Sequence, residues 1–228
     1  MPSLDSAYAQ VDRGSEHLIE LRQLHDEVCA VQAESTVVEF KLQATVPPGE
    51  SVKAGEVRYP RPPVAIRIRI IAGETANCFR SALDYLVGQL AILDSGTRQE
   101  KTQFLITDTP DEFEERRGRS LKGVNGTHVA MIKKLQPHNG SDWLILLRML
   151  SNFAKHDDLI LLYHNVLITT HKYPVDPTDP DPFKHKMRVD FQPVIQIAIN
   201  EGFPLIATLE MLKSQVAKVL DAFKPEFE

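Results

Sequence analysis

Val64-Ala65-Ile66-Arg67-Ile68-Arg69-Ile70-Ile71 is the stretch whose reading decides the fold of this 228-residue chain. Val64, Ile66, Ile68 and Ile70 alternate with Ala65, Arg67 and Arg69, the period of two of a half-buried strand. Followed further, the same residues begin a second pattern. Ile68, Ile71, Thr75, Cys78, Ala82 and Leu86 form one continuous helical stripe. The stiff connector Pro60-Arg61-Pro62-Pro63 precedes it, and proline suits the first turn of a helix. The longer pattern outweighs the shorter and predicts one helix over about residues 63–93, closed by the loop Asp94-Ser95-Gly96-Thr97.

Upstream, Val11, Leu18, Leu21, Leu24, Val28 and Val31 recur at spacings of three, four and seven between charged residues, which predicts a helix over 4–33. Residues 36–46 shift to period two through Val38, Phe40 and Leu42, a strand that Pro47-Pro48-Gly49 ends; a second short strand is expected at 55–59. Downstream, Thr107-Asp108-Thr109-Pro110 reads as a cap opening a short helix through Arg117. Thr127 is the expected cap of another, to Leu135, and Ser141 or Asp142 opens a third, to about Asp157. Residues 159–171 and 187–199 are rich in β-formers. Between them, 173–185 holds Pro174, Pro177, Pro180 and Pro182, so it is a loop. Asn200-Glu201-Gly202 turns the chain into a last amphipathic helix over 204–223. Helices and strands do not alternate as β-α-β units. The expected class is α+β, a single domain over 1–228 with a central helical bundle and a small antiparallel sheet.

Composition bounds the function classes. A net charge of −5, from 26 Lys+Arg against 31 Asp+Glu, excludes a basic nucleic-acid coat but leaves room for a local basic groove. Cys29 and Cys78 lack metal-ribbon spacing and fit a reducing compartment. No apolar run approaches 18 residues, and Met1-Pro2-Ser3-Leu4-Asp5-Ser6 has no signal-peptide character, so a cytoplasmic protein without a membrane partner is expected. Phosphate-loop, dinucleotide, nucleophile-elbow and zincin motifs are absent, and no cofactor is called for. Asp176, Asp179 and Asp181 lack the glycine and closing glutamate of a calcium loop. His17 and His25 are spaced eight apart, as are His156 and His164, which is not a two-ligand turn; no metal site is expected.

Two polar stripes remain. On the helix around residue 80, Asn77, Arg80, Ser81 and Asp84 share a sector with Gly73 and Gly88, while apolar residues cover the rest. On the helix over 142–157, Arg148, Asn152 and His156 stand four apart in one column, with Lys155 beside them. The stripes are complementary. Asp84 is placed to hold Arg148, Lys155 or His156, and Asn77 to pair with Asn152. One reading is a buried polar network that fixes the pairing of two core helices. The other is a pocket. There His156 exchanges protons, Arg148 and Lys155 offset anionic charge, Asn152 positions the substrate, and Asn77, Arg80, Ser81 and Asp84 bind ligand.

Asn77-Cys78-Phe79-Arg80-Ser81-Ala82-Leu83-Asp84-Tyr85-Leu86 and Ser151-Asn152-Phe153-Ala154-Lys155-His156 resemble an uncharacterised bacterial protein family with signatures of roughly N-L-R-S-A-L-D-x-L and S-N-x-x-K-H. Thr102-Gln103-Phe104 fits the same group. The second segment is also distantly similar to the HEPN superfamily, whose motif is Arg, a polar residue, three more, then His. Asn152 and His156 match it; Ser151 stands where the family has Arg, and Arg148 lies one turn away. That resemblance implies a HEPN-like helical core, an RNA-acting protein such as a metal-independent ribonuclease or defence and toxin component, and a homodimer. Its alternative is a non-catalytic binding or dimerisation module whose polar pocket takes a small anionic ligand.

Overall fold

The 64–71 stretch is helical from Ile66 onward. In the computed structural model, α2 runs Ile66–Ser95, and the alternation of arginine with isoleucine falls on its first turns. The structure describes residues 1–35, 64–156, 162–174, 187–199 and 203–228; within these, the side chains of 31–35, 153–156, 163–174 and 187–196 are outside the description. The strands expected at 36–46 and 55–59, the three-aspartate loop and the turn at 200–202 lie outside the described residues.

The class is α+β and mostly helical. The chain runs α1 (Asp5–Ser35), α2, α3 (Pro110–Ser120), α4 (Gly126–Lys134), α5 (Trp143–His156), β1 (Leu162–Pro174), β2 (Met187–Ile199), β3 (Phe203–Pro204) and α6 (Leu205–Phe223). Two 3-10 turns, Pro137–Asn139 and Lys224–Phe227, complete it. No helix among the described residues is long and apolar enough to cross a membrane.

α2 is the axis on which the other long helices pack, because apolar residues cover most of its circumference. Ile68, Ile71, Ala72, Ala76, Phe79, Ala82, Leu83, Leu86, Val87 and Leu90 are all buried. Against it, α1 presents Leu4, Ala7, Val11, Leu18 and Leu21 at alternating helical spacings, and α6 presents Leu209, Leu212, Val216 and Leu220. Gly14 continues the α1 stripe because nothing larger fits. A Cβ there would sit 2.5 Å from Cε1 of Phe79, a ring with no exposed surface. α2 ends at Gly96, whose φ of 75° is the left-handed conformation a helix C-terminus commonly adopts.

β1 and β2 pair antiparallel in an unbroken register from Leu162↔Ile199 to Pro174↔Met187, and β3 joins the end of β2 at Ala198↔Pro204. Leu162, Ile197, Ala198 and Ile199 are buried, so this end of the ribbon is rooted in the bundle. The Ile197 N–H donates to Nε2 of His25 at 3.4 Å, which assigns that α1 histidine a structural task.

α3 starts as expected. Thr109 accepts from the Glu112 N–H at 3.2 Å, and Pro110 occupies the first turn. α4 starts two residues earlier than expected. Its cap is Asn125, whose Oδ1 accepts from the His128 N–H at 2.9 Å, and Thr127 is exposed. Asn125 is held in place by Asp94 from the end of α2, which accepts its N–H and its Nδ2 at 2.8 Å each.

The same Asp94 organises the far end of the chain. Its Oδ2 lies 2.8 Å from Nδ1 of His128, while Nε2 of His128 lies 3.2 Å from Oε2 of Glu226. His128 and Asp94 are buried. With a carboxylate facing each ring nitrogen, the arrangement favours the doubly protonated imidazolium, which can donate to both. Burial pulls the His128 pKa down, but hydrogen bonds to Asp94 and Glu226 outweigh it and hold the value above the ordinary one. The chain end is thereby fastened to α2 and α4 by one cation.

Two outcomes follow from these contacts. A histidine pKa raised by folding contributes stability that is complete below the unfolded value of about 6.5 and is lost as pH rises through the folded value. Denaturant titrations should therefore show unfolding free energy declining above about pH 6.5. His128→Ala should remove that decline and cost about 2 kcal/mol at pH 6; an unchanged slope in the variant would contradict the assignment. Gly14→Ala should cost about 1–2 kcal/mol, because overpacking against Phe79 exceeds the gain in helix propensity. An unaltered denaturation midpoint would show that the ring can shift.

Candidate functional site

Between α2 and α3 the chain passes through Gln103-Phe104-Leu105-Ile106-Thr107, an irregular stretch that belongs to none of the described strands yet is buried from Phe104 to Thr107. Buried backbone groups need partners, and here side chains supply them. Asp84 Oδ1 accepts the Phe104 N–H at 2.8 Å, and Arg80 Nη2 donates to the Phe104 carbonyl. Gln136, fully buried after α4, donates from Nε2 to the Leu105 carbonyl at 2.8 Å and accepts the Thr107 N–H at 2.9 Å. Arg148 Nη1 donates to the Ile106 carbonyl at 3.3 Å.

The two polar stripes thus meet through this segment. Arg80, Asp84, Arg148 and Asn152 line a polar cavity of about 220 Å³ whose wall is the 103–106 backbone. Arg116 of α3 lines it too, which the sequence reading did not anticipate. Its neighbours Arg117 and Arg119, interleaved with Glu112, Glu114 and Glu115, read as a solvated helix face. Only the Thr109 cap, by fixing the phase of α3, marks which arginine turns inward.

The pairing differs from expectation. Asp84 lies 3.2 Å from Arg80, its neighbour one turn earlier on α2. Arg148 instead donates to Asp108, its single Nη2 lying 2.9 Å from each carboxylate oxygen. Asp108 is placed for this by the course of the 103–107 segment, while Asp84 is engaged with that segment's first buried amide. Arg116 Nη1 donates to Glu112 Oε1 at 2.6 Å. Burial pushes the Arg80 guanidinium below its ordinary value; Asp84 pulls it back, and the nearby charges of Arg116 and Arg148 add to the lowering. It remains a cation at physiological pH. Three guanidiniums are close enough to feel one another.

The remaining candidates are dispersed. Asn77 does not pair with Asn152: its Oδ1 is buried and makes no hydrogen bond among the described residues, and it is not part of the cavity wall. Asn152 is exposed at the rim. Ser81 lines a different, larger cavity. Ser151 is buried, with Oγ donating to the Arg148 carbonyl at 3.2 Å, so the residue at the HEPN arginine position is turned toward its own helix. The backbone of α5 carries Lys155 and His156 one turn beyond Ser151 and Asn152; their side chains lie outside the described residues.

Cys29 sits 3.7 Å from Nε2 of His25, which invites comparison with a thiol–imidazole pair. Burial, reinforced by Asp26, pushes that thiol up to about 11, so at neutral pH it is a poor nucleophile. Among the described residues no group of three or more His, Cys, Asp or Glu is arranged to hold a metal ion.

Asp84 carries both the Arg80 charge and a buried amide. Asp84→Ala should therefore destabilise the fold by roughly 2–4 kcal/mol; denaturation that matches the parent would mean the segment finds other partners. Comparison with protein-family profiles, with curated proteins and with solved structures finds no match to this chain.

Proposed function

We propose that the arginine cavity binds a phosphate-bearing anion and that the chain acts as a binding module. The observation that carries this reading is the convergence of Arg80, Arg116 and Arg148 on one polar space of about 220 Å³. Guanidinium forks match phosphate oxygens in geometry as well as in charge. Each arginine currently faces a carboxylate, and the three acids differ in how firmly they are held. Asp84 is also engaged by a buried amide. Asp108 is 55% exposed and swings away at little cost. It therefore occupies Arg148 as an internal stand-in for the ligand, and an arriving phosphate displaces it.

Inorganic phosphate titrated into the protein should raise its melting temperature. Arg116→Ala should weaken binding about tenfold with little change in basal stability, since Arg116 supports no buried backbone group. Asp108→Asn should strengthen binding several-fold by releasing Arg148. A melting temperature unmoved by phosphate, in parent and Asp108→Asn alike, would end the proposal.

A second reading has one observation behind it. Arg148, Asn152 and His156 are spaced four apart on α5, and Asn152 stands at the rim of the same cavity. In a HEPN-like RNA-acting protein, His156 would serve as acid or base in attack by the RNA 2′-OH, Arg148 or Lys155 would offset phosphate charge, and two copies would face one another as a homodimer. Ser151, at the family's arginine position, weighs against it. Total RNA incubated with the protein in EDTA separates the two readings. Cleavage that disappears in His156→Ala favours the nuclease; intact RNA together with phosphate binding favours the module.

A further inference from the structure

Beside the arginine cavity lies a larger one of about 1030 Å³, bounded by the middle of α2 and the segment 98–102. Asp84 lines both. The segment that rims the larger cavity up to Thr102 continues into the wall of the smaller from Gln103. The two spaces therefore adjoin, on either side of one carboxylate. Their sizes differ in kind. The smaller, at about 220 Å³, has ample room for a phosphate group but not for a whole nucleotide-sized ligand. The larger matches the upper end of the roughly 300–1,000 Å³ that holds a whole organic ligand.

The floor of the larger cavity is unusual for an internal stretch of helix. Gly88 sits well inside α2, where glycine is destabilising relative to alanine. Such a glycine normally admits a close neighbour, as Gly14 admits Phe79. At Gly88 nothing in the described chain comes within 4 Å of where a Cβ would be. No packing contact explains it. One turn away Tyr85 is 45% exposed, a large ring left at the edge of the same cavity. Ser81 and Gln89 add a hydroxyl and an amide to this face of α2. Across from them Lys101 holds a φ of 62°, the one non-glycine residue in the left-handed region among the described residues. Backbone in that region is strained and tends to occur where a site is being shaped.

We infer that the larger cavity receives the organic body of the ligand whose phosphate enters the arginine cavity, and that this body is a flat heteroaromatic ring laid over Gly88 against Tyr85. The inference rests on the phosphate reading of the arginine cavity and adds the class of ester. A bare helix backbone flanked by an exposed aromatic ring offers a flat apolar surface with polar groups at its margin. That surface suits a planar ring with heteroatoms along its edge better than a saturated sugar alone.

Three probes dissect this: inorganic phosphate, ribose 5-phosphate and adenosine 5′-monophosphate, each titrated calorimetrically into the full chain. The last two differ by the ring alone. The ring should tighten binding roughly tenfold over ribose 5-phosphate. Tyr85→Ala and Gly88→Leu should each bring adenosine monophosphate down to the ribose phosphate level and leave ribose phosphate itself unchanged. Gly88→Ala serves as the folding control, because it should raise the melting temperature while weakening the ring's contribution. Equal affinity for the two esters, or undiminished adenosine monophosphate binding in Gly88→Leu, would overturn the inference and leave the phosphate site standing. Failure of all three probes to bind would overturn the phosphate reading and this inference with it.

Discussion

The described fold turns on an irregular stretch of chain that pairs with no strand among the described residues. Residues 104–107 are buried against helices, where a backbone cannot leave its amides and carbonyls unpaired without a penalty of about 1–3 kcal/mol for each. A sheet would solve this with neighbouring strands. Here Asp84, Arg80, Gln136 and Arg148 do so instead, each from a different place on the helical frame. The solution constrains everything near it. Arg80 and Asp84, one turn apart on α2, engage the carbonyl and the N–H of one residue, Phe104. The position of α5 is set so that Arg148 reaches two residues further along.

This constraint is also what gathers cations. An arginine carries five N–H donors, and a single carbonyl uses one or two of them. Arg80 and Arg148, which hold this backbone, have donors beyond those contacts, and they meet Asp84 and Asp108. The buried network and the proposed pocket, which the sequence presents as rival readings of one stripe, then share the same residues. Backbone contacts orient Arg80 and Arg148, and under the proposed reading that orientation would lower the cost of binding an anion. Asn77 is the member of the stripe that joins neither arrangement, since its buried carbonyl oxygen has no hydrogen-bond partner among the described residues.

Much of this was legible in the sequence, and what was not has a common cause. Periodicity located α1, α2, α5 and α6, because each buries an apolar stripe that repeats at helical spacing whatever it packs against. It also set the 64–71 stretch as helix, since the stripe extending to Leu86 outweighed eight residues of alternation. Periodicity places polar residues on a face and leaves their partners open. Arg148 was matched with Asp84 by complementarity of stripes, whereas the acid that reaches it, Asp108, is carried there by an irregular segment without a pattern. The α4 cap moved from Thr127 to Asn125 for a similar reason. Either side chain is a good cap, and the choice was made by Asp94, 31 residues earlier in the chain. The Asp94–His128–Glu226 arrangement spans still larger separations and left no local trace.

The charge balance around the cavity bears on how it can be used. Three guanidiniums and three carboxylates leave little net field, so a ligand gains little from long-range attraction and must win by exchange at close range. Exchange favours the acid that is least encumbered. Asp84 is held by Arg80 and the Phe104 amide, and losing it would unfasten the buried segment. Glu112 belongs to the first turn of α3, where its charge also favours the helix N-terminus and it accepts the Asp108 N–H at 3.2 Å. Asp108 has only its contact with Arg148 among the described side chains, and it is the most exposed of the three. Under the proposed reading, a phosphate entering this space would replace one specific carboxylate, Asp108, and leave the frame intact. The residue that would yield to a ligand is then distinct from those that keep the fold.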